Sequence, residues 1–302
     1  MSRLRLLYLI PAATALLAPG IAFAHGGEAS ESGWSFEPLA AILLGCSVAL
    51  YALGWSRMRP AARQAIAPWW RVGAYASAVV TLIIALFSPL DAAADTSFAW
   101  HMAQHLMLML IAAPLMALAN THLVALFALP LGPRRRIGRL VNRTPGVRSG
   151  ASSRSAPIWA ALAFVLGLWL WHAPVAYDLA LADPALHTVE HLTFLVTSAI
   201  FWRMVSTSGD RRLDGASAIV LVTLVGLQGN LMAALITLAP TPIYQHYATG
   251  GLADQQIAGL LMWVPAGLLY LGSTCWAIYR LVGPSTKRRH QAASTDTLRF
   301  LV

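Results

Sequence analysis

Seven apolar stretches, at roughly 38–55, 72–90, 98–119, 156–175, 187–205, 216–238 and 255–279, divide this chain of 302 residues. Each is about long enough to cross the ~30 Å hydrocarbon core of a bilayer as a helix. Hydrophobic residues make up 58% of the chain and charged residues 11%, a balance too apolar for an ordinary water-soluble domain. The pattern predicts an all-α, polytopic membrane protein: a seven-transmembrane-helix bundle.

A shorter apolar run stands apart at the start. Arg3 and Arg5 precede Leu6 to Leu17, and the small-x-small site Ala22-Phe23-Ala24 follows, the layout of a cleaved signal peptide over residues 1–24. Cleavage would leave His25 at the head of a short periplasmic segment, 25–37. The transmembrane domain would then occupy 38–280 and a basic cytoplasmic tail 281–302.

The charges test this topology independently. With the mature N-terminus outside, segments 56–71, 120–155, 203–215 and the tail from Arg280 face the cytoplasm, and they hold 4, 7, 3 and 5 Lys or Arg. Arg3 and Arg5 complete the 21 basic residues, so none is left for the outer surface, as the positive-inside rule requires. Glu28, Glu31, Glu37, Asp91, Asp95, Asp178, Asp183, Glu190 and Asp254, nine of the twelve acids, fall outside or at outer helix ends. The net charge of +9 is therefore a topology signal. A nucleic-acid partner is excluded, since no basic face on a recognisable nucleic-acid fold accompanies the charge; the lipid bilayer is the partner this composition fits.

The two cysteines, Cys46 and Cys275, sit at depths roughly 18 Å apart by the ~1.5 Å helical rise, too far for a disulfide, and read as packing residues. The stretch from Pro133 to Ser155, with Arg134-Arg135-Arg136 and several Ser and Gly, reads as a cytoplasmic linker beside anionic head groups.

Histidine placement carries the chemistry. His101-Met-Ala-Gln-His105 opens the third stretch and His187-Thr-Val-Glu-His191 the fifth. Residues spaced i, i+4 share one helix face, about 6 Å apart along the axis, and can grip one metal ion. One such pair is weak evidence, since histidines near a helix end can simply bind water; two pairs at matching depth are stronger, because ionisable groups at that level must face inward and find partners. His172 ends the fourth stretch near His187 and is a further candidate ligand. His246 lies in the outer loop before the last helix, as an accessory ligand or a solvated residue. His25 reads as a free chain end, and His122 and His290 fall on the cytoplasmic side.

Imidazoles with Met102 and Met107 nearby, and no thiol on that side, suit copper, with zinc as an alternative; the methionines more often fill core gaps. Asp183-Pro184 reads as a helix cap followed by a first-turn proline. Glu190 either orients a ligand imidazole by accepting from its outer nitrogen or favours a helix N-terminus by its charge. Asp254 is a cap for the last helix with a possible role at the site mouth. Gln228 and Asn230, mid-membrane on the sixth stretch, read as interhelical glue.

At these residues the chain resembles the CtaG-type family of cytochrome c oxidase assembly factors, seven-helix bacterial membrane proteins. The matching stretches are Trp100-His101-Met102 through His105 with Ala113-Pro114; Leu170-Trp171-His172-Ala173-Pro174 continuing to Tyr177-Asp178; His187 through His191 with Phe201-Trp202; and Asp254-Gln255-Gln256-Ile257-Ala258-Gly259 through Met262-Trp263. The resemblance implies a bacterial inner-membrane protein that matures a respiratory oxidase at its copper-delivery step, with oxidase subunits or a periplasmic copper chaperone as partners. Two other readings remain open: a haem protein with one axial histidine from each pair, and a membrane-embedded metal-dependent enzyme with Glu190 as base.

Overall fold

The computed structural model describes residues 36–143, 155–206 and 215–282. The signal peptide, His25, most of the 25–37 segment and the basic tail lie outside them, as does the part of the 133–155 stretch beyond Arg143. Every regular element among the described residues is helical. In chain order they are α1 (Pro38–Arg57), α2 (Pro60–Ile66), α3 (Trp69–Phe87), α4 (Pro89–Ala94), α5 (Phe98–Leu118), α6 (Thr121–Ala128), α7 (Leu131–Arg143), α8 (Ala156–Trp171), α9 (Pro174–Ala182), α10 (Pro184–Ser206), α11 (Gly215–Leu238) and α12 (Gly251–Val282).

Among the described residues five helices are long and apolar enough to cross a membrane: α1, α3, α5, α11 and α12. The expected fourth span is not straight. Its first part, α8, ends at Trp171, and the chain turns through 75° into α9, because the residue before a proline is pushed out of helical geometry and Pro174 can only restart a helix. Counted as one broken span, α8 and α9 make a sixth. The remaining long helix, α10, has 23 residues but carries His187, Glu190, His191 and several Ser and Thr, which keep it below the apolarity of the others.

The remaining boundaries shift for local reasons. Pro89 ends the second span early and starts α4, capped by the Ser88 hydroxyl. The start of the expected linker is helical instead: α7 puts Arg134, Arg135, Arg136 and Arg139 along an amphipathic helix. Cys46 and Cys275 are free and exposed on the bundle's outside, so they are not packing residues.

The helix pairs that position the site are joined by small residues and by polar locks. Gly54 of α1 lies so close to the Val124 carbonyl of α6 that a Cβ would collide with it; only glycine permits that approach. Gln228 of α11 accepts from the Trp169 indole of α8 at 2.7 Å, as glue between helices. At the far end of α5, Asn120 takes a left-handed conformation (φ 54°). Its amide donates to the Ile66 carbonyl at 2.8 Å and its oxygen accepts from Arg203 at 2.7 Å. That arginine-bearing end stands about 28 Å from His101, nineteen residues of helical rise away.

Candidate metal centre

Two caps set the helices that carry the histidine pairs. Asp183 accepts from the Ala185 and Leu186 amides at 2.8 and 3.0 Å, the cap expected of Asp-Pro at the start of α10. The start of α5 is held by a residue from another helix. Asp254 of α12 accepts from the Ser97 hydroxyl at 2.8 Å and from the Phe98 and Ala99 amides at 2.7 and 3.2 Å. Asp254 thus caps α5 and not its own helix, which leaves its carboxylate committed and outside the ligand group.

A second lock sits one turn beyond His105. Met107–Ala112 of α5 winds as a π-helix, in which each amide reaches back five residues, and the Ala113 amide reaches the Leu108 carbonyl. The next residue in that register is Pro114, which has no N–H, so the Met109 carbonyl is left without an intrahelical donor. Ser198 and Trp202 of α10 fill the gap, donating to Met109 O at 2.7 and 3.3 Å. A proline in one helix thereby fixes the other histidine helix against it.

With both helices so held, His101, His105, His187 and His191 converge. One donor atom from each lies within 4.8 Å of all the others, and the Nε2 atoms of His101 and His105 are 2.9 Å apart. A tetrahedral ion with metal–nitrogen bonds of ~2.05 Å would hold its nitrogens about 3.3 Å apart, so modest side-chain rotation completes such a shell. His101, His105 and His191 are buried and His187 is partly exposed, making His187 the ligand nearest to solvent. Among the described residues this is the one such group of histidines, cysteines and acids.

His172 stands beside the group without joining it. Its Nδ1 donates to the Leu168 carbonyl of its own helix at 2.9 Å, which leaves Nε2 as the free acceptor, buried and without a hydrogen-bond partner. Its ring centroid is 6.1 Å from that of His105. Met102 is fully buried within the apolar cluster around Phe98 and Phe194, the packing role. His246 is exposed, and its Nε2 meets the Asp95 carbonyl at 3.1 Å; it is not one of the converging ligands.

The sequence did not reveal the roof of this site. The loop before α12 is pinned by Gln255, whose side chain accepts from the Ile243 amide at 2.7 Å and donates to the Ile236 and Thr241 carbonyls at 3.1 and 3.3 Å. That places Tyr244 and Tyr247 over the histidines, with Tyr247 stacked on Phe98 and Tyr244 packed edge-on to Phe98 and tilted against Tyr177. Tyr244 donates to the His172 carbonyl at 2.9 Å. Tyr247 donates to the Ala94 carbonyl at 2.6 Å and lies 2.8 Å from His101 Nδ1. Burial first, and then the Asp95 carboxylate, push the Tyr247 phenol well above its ordinary range, so it keeps its one proton. With that proton on Ala94, the Tyr247 oxygen accepts from His101 Nδ1–H, and His101 must present Nε2 to the site.

Orienting partners of this kind contribute roughly 10–100-fold in metal affinity. Tyr247→Phe is accordingly expected to weaken ion binding by about tenfold while leaving the fold intact, since the ring remains. A chelator-competition titration of the purified variant checks this; unchanged affinity would remove Tyr247 from the site.

A haem between the pairs meets a steric objection. The His101–His187 and His105–His191 ring centroids are each 5.1 Å apart, and His187–His191 4.1 Å, so the imidazoles occupy the slot a macrocycle would need.

A family profile described as cytochrome c oxidase caa3 assembly factor matches residues 49–283, which includes every histidine of the group. No curated protein and no solved structure shows significant similarity to the chain.

Proposed function

Because the chain belongs to the cytochrome c oxidase caa3 assembly factor family, we propose that it binds one copper ion through His101, His105, His187 and His191 and delivers it to oxidase subunits or to a periplasmic copper chaperone. The observation that carries the reading is the convergence of four imidazoles from two helices, with donor atoms within 4.8 Å of one another. Imidazole donors suit copper and zinc better than magnesium or calcium, and a role in oxidase assembly favours copper.

In this reading α10 is a seventh span, since the polar residues that lower its hydropathy face the other helices. Glu190 is fully buried and His191, Phe194, Ser198, Phe201 and Trp202 are buried beside it, while Val189, Leu192, Val196 and Ile200 are exposed on the opposite side. The protein then lies in a bacterial inner membrane with its N-terminus outside and its C-terminus cytoplasmic. The arginines at the far end of α5 mark the cytoplasmic face, and the histidines open to the periplasm. Transfer fits a site whose outermost ligand, His187, is partly exposed, because ligands can then be exchanged one at a time.

Metal analysis and an absorption spectrum of the detergent-purified protein test this directly. About one copper per chain and no Soret band is the expected result. A Soret band would replace the reading with haem, and a protein that binds no added copper would refute it.

A further inference from the structure

Glu190 is a buried carboxylate beside the four-histidine group, and its position departs from that of an orienting partner. A carboxylate that orients a metal-bound imidazole takes the proton on the nitrogen facing away from the metal. Glu190 Oε1 instead lies 3.9 Å from His105 Nε2, the same nitrogen that faces His101 Nε2 at 2.9 Å. His105 Nδ1, on the far side of the ring, has no hydrogen-bond partner. Glu190 therefore approaches His105 on the nitrogen that faces His101, on the ion side of the ring.

Among the described residues no cation answers its charge. The residue is fully buried, and neither carboxylate oxygen has a hydrogen-bond partner. The described arginines lie at 57–71, 134–143, 203 and 280. The nearest along its own helix, Arg203, is thirteen residues on, about 20 Å away by helical rise. Of the other acids at this end, Asp254 caps α5, Asp183 caps α10, Asp178 faces the Gln245 and His246 amides, and Asp91 accepts from Gln104. A buried carboxylate without a partner is strongly unfavourable, and a cation seated among the histidines supplies one.

Resting on the reading of the four histidines as a metal site, we propose that Glu190 is the counter-charge of the ion bound there and that the centre is built for a monovalent cation, Cu(I), in preference to divalent ions. The argument is a charge count. Four neutral imidazoles contribute nothing and Glu190 contributes −1, so a monovalent ion leaves the centre neutral while a divalent one leaves it at +1. The centre is walled by Phe98, Phe194, Tyr177, Tyr244 and Tyr247, and in such surroundings an uncompensated charge is costly. Imidazole alone does not separate copper from zinc; net charge does.

The test is chelator-competition titration of the full chain in detergent with Ag(I), a redox-inert stand-in for Cu(I), and with Zn(II). The wild type is expected to take Ag(I) in the presence of equimolar Zn(II). Removing one member of a buried charge pair leaves the other uncompensated, so Glu190→Gln is expected to weaken Ag(I) binding by about 100-fold or more and Zn(II) binding at least as much, with Glu190→Asp retaining most of the affinity. A wild-type preference for Zn(II), or a Glu190→Gln variant that holds Ag(I) within about threefold of wild type, would overturn the proposal and leave the four-histidine site standing. Failure of the wild type to bind any ion would overturn both. The wild-type competition decides the matter even where Glu190→Gln does not fold.

Discussion

Replacing His101, His105, His187 and His191 together by alanine is expected to leave the purified protein without bound copper and cells carrying it without a functional copper-loaded oxidase. The magnitude follows from how four-ligand sites bind. Structural sites of this kind reach an apparent 10–16 kcal/mol, so each ligand carries about 3 kcal/mol, and losing even one i, i+4 pair weakens binding roughly 10⁴-fold. His101→Ala with His105→Ala, and His187→Ala with His191→Ala, should therefore each resemble the fourfold variant. His172→Ala should not, because its Nε2 lies outside the group. Copper content, oxidase activity and membrane abundance measured together separate a lost ligand from a lost fold. Copper retained near one per chain in either double variant would contradict the site, and normal oxidase activity without copper would separate the histidines from assembly.

Much of this arrangement was legible in the sequence because membrane burial imposes simple rules. Long apolar runs gave the helices to within a few residues, and the two H-x-x-x-H spacings put each pair on one helix face by the 3.6-residue period alone. Asp183-Pro184 capped its helix as its chemistry demands. What the sequence could not show depends on contacts between segments far apart. Asp254 looks like the cap of the helix it opens, yet it serves α5, more than 150 residues earlier. Tyr247 acts through a loop whose path is set by Gln255. The direction in which Glu190 points depends on how α10 rotates against α5. That rotation is fixed by Ser198 and Trp202 on the Met109 carbonyl, a contact hinted at only by Pro114. The bend at Pro174 carried a local signal of its own, a proline directly after His172-Ala173, and the apolar run around it hid the break.

Asp254→Ala is expected to lower stability by about 3 kcal/mol and to loosen the metal site without removing any ligand. Asp254 accepts three hydrogen bonds at the start of α5, one from Ser97 and two from the Phe98 and Ala99 amides. Those amides belong to the first turn, where a helix has no internal acceptor to offer. Phe98 is fully buried, so water is poorly placed to substitute. Bonds to a charged acceptor contribute roughly 1.5–3 kcal/mol each, and the carboxylate also favours the positive end of the α5 dipole; partial relaxation brings the sum down to about 3. Because His101 follows Ala99 by two residues, fraying of this turn would displace the one imidazole that Tyr247 orients. Asp254→Asn keeps an acceptor but loses the charge and should fall between the two. Thermal unfolding in detergent and ion titration together check the assignment: a cap predicts that stability and affinity fall in parallel, whereas an Asp254→Ala variant that loses its ion at wild-type stability would make Asp254 a ligand after all.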